Sequence, residues 1–215
     1  MNLDIVKIIS VGIVSFLLIF FLNPFTRYLG NKLNIFDFPN KRKIHKVKII
    51  RSGGLSIFSS FLITISIFLL FFNNQITEIT YSGFILNIIF ASFLFFLIGF
   101  LDDLIKVPHF IRLSIEIILS CWVWSFGFQI QLSNLLPNIF EYFPILNIPF
   151  VSLIITVIWI TGLTNAINWI DGMDGILSIF TIFVCIGFVL ISFILNNILV
   201  SILLASILGC ALGFL

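Results

Sequence analysis

The chain has 215 residues, 60% of them hydrophobic and only 9% charged, with a net charge of +2 and a mean hydropathy of +1.25. Soluble domains carry about 25% charged residues and need polar groups to cover their outside, so a water-soluble globular fold is excluded. What remains is an all-α polytopic membrane protein, read as one integral membrane domain over residues 1–215, with the lipid bilayer as its first partner and no nucleic-acid partner expected.

Backbone groups in lipid must be satisfied within their own segment, so apolar runs of about 20 residues predict helices. Seven such runs follow one another: Leu3–Leu22, Gly54–Phe72, Gly83–Leu101, Phe110–Phe128, Ile148–Leu163, Ile176–Leu195 and Ile198–Leu215. Asn23-Pro24 ends the first run, and Asn196-Asn197 alone separates the last two. The first run is too long for a signal peptide and has no small-residue cleavage site after it. Cys121, Cys185 and Cys210 lie inside apolar runs without metal-type spacing and read as small buried hydrophobes.

Charge gives the orientation. Eight of the 11 basic residues, Arg27 through Arg51, lie after the first run, and Lys106 and Arg112 follow the third. With alternating spans, all of these share one face, opposed by Lys7. The positive-inside rule makes that face cytoplasmic and puts the N-terminus outside. Asp37, Asp102, Asp103, Asp171 and Asp174 fall on the same face, so three polar loops remote in sequence are expected to converge there.

The first loop, Asp37-Phe-Pro-Asn-Lys-Arg-Lys-Ile-His45 continuing to Arg51-Ser-Gly-Gly54, reads either as a basic loop touching anionic lipid or as a phosphate site. Arg42, Lys43, His45 and Arg51 would supply donors, and Gly53-Gly54 would bring backbone N–H groups close at a helix start. In Gly99-Phe-Leu-Asp-Asp-Leu-Ile-Lys106, the adjacent Asp102 and Asp103 end a helix, where acids oppose the macrodipole. That reads either as an ordinary helix end with Lys106 as partner or as a Mg²⁺ site with one carboxylate as base. The segment Asn165-Ala-Ile-Asn-Trp-Ile-Asp-Gly-Met-Asp-Gly175 is read as a polar loop between spans. It carries Asn165, Asn168, Asp171 and Asp174 at three-residue spacing. Trp169 reads as an interfacial anchor or a base-stacking ring, and Asp174 as a helix cap or a ligand.

The order and spacing of these motifs resemble the polyprenyl-phosphate N-acetylhexosamine-1-phosphate transferases, which include the GlcNAc-1-phosphate and muramoyl-pentapeptide phosphotransferases. The resemblance implies transfer of an N-acetylhexosamine-1-phosphate from a UDP-amino sugar to a polyprenyl (undecaprenyl) phosphate, with Mg²⁺ as cofactor and UMP released. It implies a bacterial inner-membrane enzyme with a cytoplasmic site, feeding cell-wall or lipopolysaccharide synthesis; a homodimer is left open. By that analogy Asp102 and Asp103 are catalytic and metal-binding. Asp171 and Asp174 join them at the metal or, with Asn165 and Asn168, hold the substrate. Arg42, Lys43, His45, Arg51, Gly53 and Gly54 grip phosphates. Arg112 is similar to a basic residue of the family, and Glu116 stands where a Gln is usual. Ile49-Ile50-Arg51 is closer to the UDP-N-acetylglucosamine branch.

Family members are longer, so the resemblance makes this chain roughly the first two-thirds of a larger helical transferase. A Met-Gly-Asp-type loop and a His-rich loop are expected beyond Gly213-Phe214-Leu215, and little activity is expected of these 215 residues alone. The competing readings are a catalytically incomplete remnant or assembly partner, and an ion-coupled transporter. A transporter would place its acids near the bilayer midplane between inverted repeats.

Overall fold

The computed structural model describes residues 2–37, 49–50, 52–72, 79–131, 148–170 and 175–215. They form seven helices: α1 (Asn2–Lys32), α2 (Gly53–Phe72), α3 (Ile79–Ile105), α4 (His109–Ser125), α5 (Pro149–Ile170), α6 (Ile176–Ile194) and α7 (Ile198–Phe214). A two-residue antiparallel pair, β1 (Phe36–Asp37) and β2 (Ile49–Ile50), matches Phe36 with Ile50 and Asp37 with Ile49. It brings together the two ends of the basic segment 38–48. Five helices, α1, α2, α3, α5 and α6, are long and apolar enough to cross a membrane.

Each expected apolar run is a helix, but three run further than hydrophobicity alone indicates. Helix α1 continues through Pro24 to Lys32. Proline removes one backbone donor, the one that would reach the Phe20 carbonyl, a loss that membrane helices tolerate; two residues on, the Thr26 hydroxyl donates to the Asn23 carbonyl at 3.0 Å. Helix α3 extends to Ile105, so Asp102 and Asp103 stand inside its last turn. Helix α5 extends to Ile170, so the first half of the expected Asn165–Gly175 loop is helical. Its hydroxyls bond back along the helix, Thr161 to Val157 and Thr164 to Ile160.

Burial follows membrane logic. Large apolar side chains face outward, such as Leu70 and Phe71 at 80% and Phe110 at 85% exposure, while Ser15, Ser56, Ser60, Ser120, Ser201 and Ser206 are fully buried. Lipid is as apolar as leucine, so helices in a bilayer associate through close packing of small residues and interhelical hydrogen bonds.

The helices form two compact units. In the first, made of residues 1–77 and 170–215, α7 is the central helix. A Cβ at Gly209 would strike the Gly12 carbonyl and the Ser15 hydroxyl of α1, and one at Gly213 would strike Ile19 and Phe16. This G-x-x-x-G spacing lets α7 and α1 approach backbone to backbone. Ser192 and Ser201 share a 2.8 Å hydrogen bond between α6 and α7. The α6–α7 turn uses Asn196 at φ 56°, and the Asn197 side chain caps α7 by accepting from the Val200 amide at 3.2 Å.

In the second unit, residues 78–169, α3, α4 and α5 run alternately up and down. Phe90 meets Trp122 edge-on at 5.4 Å toward one end of the α3–α4 pair, while Asp102 meets Arg112 at the other. At the first of these ends, Trp124 Nε1 donates to Ser152 Oγ, which donates to the Ile130 carbonyl, and the Ile130 amide donates to Thr156 Oγ1. These bonds fasten α4 to α5 away from the charged end.

Replacing Gly209 with alanine should cost about 1–3 kcal/mol by overpacking the α1–α7 contact. At Gly187 of α6 an added Cβ meets nothing within 4 Å, and alanine there should gain about 0.5–1 kcal/mol. Apparent melting of the detergent-purified protein checks both; equal shifts would contradict the packing described.

Candidate functional site

The short link between α3 and α4 decides the local geometry. The Lys106 amide closes α3 onto the Asp102 carbonyl at 2.9 Å. Lys106 then turns with φ 51°, and Pro108 stands at the N-cap of α4 with its carbonyl accepting from the Arg112 amide at 3.1 Å. The chain thus reverses within a few residues. Arg112, in the first turn of α4, comes back beside Asp102 in the last turn of α3.

Arg112 Nη1 donates to Asp102 Oδ2 at 2.9 Å, and Nη2 donates to Asn165 Oδ1 of α5 at 3.0 Å. Its Nε lies 3.5 Å from Glu116 Oε1, one turn further along α4. Glu116 Oε2 accepts from Asn165 Nδ2 at 2.6 Å, and the same Nδ2 donates to the Thr161 carbonyl at 2.9 Å. Four side chains from three helices therefore form one connected polar network. Arg112 and Glu116 are almost wholly buried, with side-chain exposures of 10% and 4%, while Asp102 is partly open at 26%.

The chemistry of the arrangement follows from the guanidinium. It cannot lose its proton, and its planar fork presents five N–H donors and no acceptor. Buried at the end of a helical bundle, it needs anions and carbonyl oxygens on every side. Asp102, Glu116 and Asn165 supply them. Asp102 pairs with Arg112 and not with Lys106, the partner an ordinary helix end would have used. The outward carboxylate is thus held against the opposing macrodipole by a cation on the neighbouring helix.

The structure brings together two motifs that are remote in sequence. Asp102 of the paired acids and Asn165 of the polar segment meet through Arg112, which is 53 positions from Asn165. Asp103 shares the last turn of α3. Asn168 lies one turn beyond Asn165 on α5 and is exposed, as is Trp169 at 82%. Gly53 and Gly54 open α2 in the other unit. At Gly53 a Cβ would come within 2.6 Å of the Phe214 ring of α7, so a larger residue there has to displace that ring; beside Gly54 the space is open. Gly175 holds φ 77° at the start of α6, a backbone conformation natural to glycine. Arg42, Lys43, His45, Arg51, Asp171 and Asp174 lie outside the described residues.

Two members of the network, Arg112 and Glu116, were not among the candidate site residues drawn from the sequence. Their signal was present: opposite charges four positions apart in an otherwise apolar helix, an arrangement too costly in a membrane segment to be incidental.

The family model for Glycosyl transferase family 4 matches residues 85–215, more than half of the chain and including the whole network. The chain belongs to glycosyl transferase family 4. It is similar to the "Probable undecaprenyl-phosphate N-acetylglucosaminyl 1-phosphate transferase" of Bacillus subtilis (strain 168), at 26% identity over 126 residues, which are 59% of this chain and 33% of that protein. The match thus spans a third of the length of this curated relative. No solved structure matches the chain. With family membership and its apolar helices together, this family 4 chain is a multi-pass membrane protein.

The fork geometry of Arg112 generates a test. Lysine keeps the charge but cannot reach three partners in one plane. Arg112→Lys should lower stability by about 1–3 kcal/mol through buried acceptors left without donors. Thermal unfolding in detergent measures it, and a melting curve identical to wild type would show that the fork holds nothing together.

Proposed function

We propose that this family 4 protein transfers N-acetylhexosamine-1-phosphate from a UDP-linked amino sugar, with UDP-N-acetylglucosamine the favoured donor, to a polyprenyl phosphate. A phosphate oxygen of the lipid attacks the β-phosphorus of the sugar nucleotide. The bond from that phosphorus to the bridging oxygen breaks, and UMP leaves with the electron pair. The product, a polyprenyl-diphosphate sugar, would begin a bacterial envelope polysaccharide. The observation that carries this reading is the Arg112 network, which gathers Asp102 and Asn165 at one end of a three-helix unit. The family assignment and the Bacillus subtilis relative support it.

Phosphoryl transfer of this kind depends on positioning and on neutralising charge. The donors at the end of α3 suit a hard dication. Asp102 commits Oδ2 to Arg112, and no described residue donates to its Oδ1, which leaves a carboxylate oxygen for a cation. Among the described residues no three His, Cys, Asp or Glu side chains cluster as a closed cage. Mg²⁺ uses one or two protein carboxylates with waters and substrate phosphates. When bound, Mg²⁺ would neutralise the diphosphate. Asp102 and Asp103 would hold it, with Asp171 and Asp174 as further ligands or contacts to the nucleotide. Asn168, exposed beyond Asn165, would face the donor. Arg42, Lys43, His45 and Arg51, with the Gly53-Gly54 backbone, would grip phosphates of the lipid or the sugar nucleotide. The positive-inside rule puts this chemistry at the cytoplasmic face of the inner membrane.

Asp102→Asn or Asp103→Asn, placed in a completed chain in membranes with UDP-N-acetylglucosamine and undecaprenyl phosphate, should lower UMP release by about 10²–10⁴-fold. Chelation with EDTA should stop turnover, and added Mg²⁺ should restore it. Full turnover in both variants, or turnover indifferent to EDTA, would remove the paired acids from the reaction.

A further inference from the structure

Glu116 is almost wholly buried, yet it makes the shortest hydrogen bond of the network. Its side chain is 4% exposed, deeper than Arg112 or Asp102. An ionised carboxylate accepts hydrogen bonds and donates none. Glu116 therefore dictates which way round the Asn165 amide must sit. Nδ2 has to face the two acceptors, Glu116 Oε2 and the Thr161 carbonyl, which leaves Oδ1 turned toward Arg112 Nη2. The opposite orientation would set oxygen against oxygen at Glu116 and two N–H groups against each other at Arg112. With Nη2 held by Asn165 and Nε beside Glu116 Oε1, the guanidinium plane is fixed at two of its three nitrogens. With the plane fixed, the N–H directions of the third nitrogen, Nη1, are set, and Asp102 Oδ2 lies 2.9 Å from it.

We propose that Glu116 is a positioning residue which, through Asn165 and Arg112, sets the place and rotation of the Asp102 carboxylate. The inference rests on the transferase reading above, in which Asp102 works at the reacting phosphates. Glu116 itself touches neither substrate nor cation. It acts from the interior of α4, and its effect reaches the site only as the orientation of a side chain on α3. A second consequence concerns Arg112. Each of its three nitrogens has a protein partner and its side chain is almost wholly buried, so it serves as a strut for Asp102.

The test uses the completed chain in native membranes and after detergent purification, with UDP-N-acetylglucosamine and undecaprenyl phosphate as substrates. Glu116→Gln keeps the volume and one acceptor oxygen but sets an N–H₂ group against the network's donors; Glu116→Ala removes the contact. Misplacement of a catalytic group by about 1 Å costs on the order of 10²-fold. Glu116→Ala should lose about that much in kcat, and Glu116→Gln about tenfold, with KM for both substrates within about twofold of wild type. A purely structural role would lower the amount of folded protein without this split. Unchanged kcat in both variants overturns the proposal, and so does a raised KM at unchanged kcat, which would place Glu116 in substrate binding. If Glu116→Gln fails to accumulate where Asp102→Asn accumulates normally, Glu116 serves folding and the proposal also falls. Asp102→Asn separates the two levels: undiminished turnover there removes the transferase role of Asp102 itself, whereas loss there with indifferent Glu116 variants removes the positioning role alone.

Discussion

A guanidinium that cannot be neutralised sits buried at the end of three membrane helices, and the second unit is organised around satisfying it. Arg112 binds Asp102 on α3, Asn165 on α5 and Glu116 on its own helix. Each partner has a reason to be there only because of the others. Asp102 alone would oppose the α3 macrodipole, Glu116 alone would be a buried uncompensated charge, and Arg112 alone would be worse still. Together they form a fully connected polar network, the form in which buried polarity fixes a unique arrangement. Through this network two motifs widely separated along the chain share one location.

The remainder of the protein is held by a different means. Around α7 the binding forces are proximity and small size: Gly209 and Gly213 against α1, Ser201 against Ser192, and Gly53 beneath the ring of Phe214. Large aliphatic and aromatic side chains point outward, where hydrocarbon solvates them at no loss. Among the described residues, most side-chain hydrogen bonds of this unit run back along their own helix, as from Ser15, Ser56 and Ser206, whereas at the charged end of the second unit they cross between helices. That division suits a protein in which one end of a bundle performs chemistry and the rest maintains a scaffold.

Seven apolar runs became seven helices among the described residues, and five of them have the length and hydropathy that bilayer thickness imposes; α4 and α7, at 17 residues each, do not. The helix ends were less legible. Hydropathy reports where hydrocarbon stops, not where helical hydrogen bonding stops, so α1 runs through Pro24 and α5 runs past Leu163 to Ile170. Asp102 and Asn165 stood out as scarce polar groups beside apolar runs. That they share a partner could not be read, since it depends on a third residue, and Arg112 was legible only as a basic residue similar to one of the family. Glu116 was visible only as a replaced position. Its role depends on the amide orientation of Asn165, which three-dimensional neighbours fix and spacing does not. The G-x-x-x-G of α7 was not drawn from the sequence, and its partner Gly12 carries no such mark.

If the network is the device that gathers the site, Asp102 and Arg112 must be energetically coupled in the folded protein. The most direct measurement is a double-mutant cycle on these two residues, Asp102→Asn, Arg112→Gln and the pair together, read from the thermal unfolding of the purified membrane protein. The account predicts a coupling of about 1–3 kcal/mol, with the double variant less damaged than the sum of the single ones. Additivity within about 0.5 kcal/mol would contradict it, because the two side chains would then stand near each other without depending on each other.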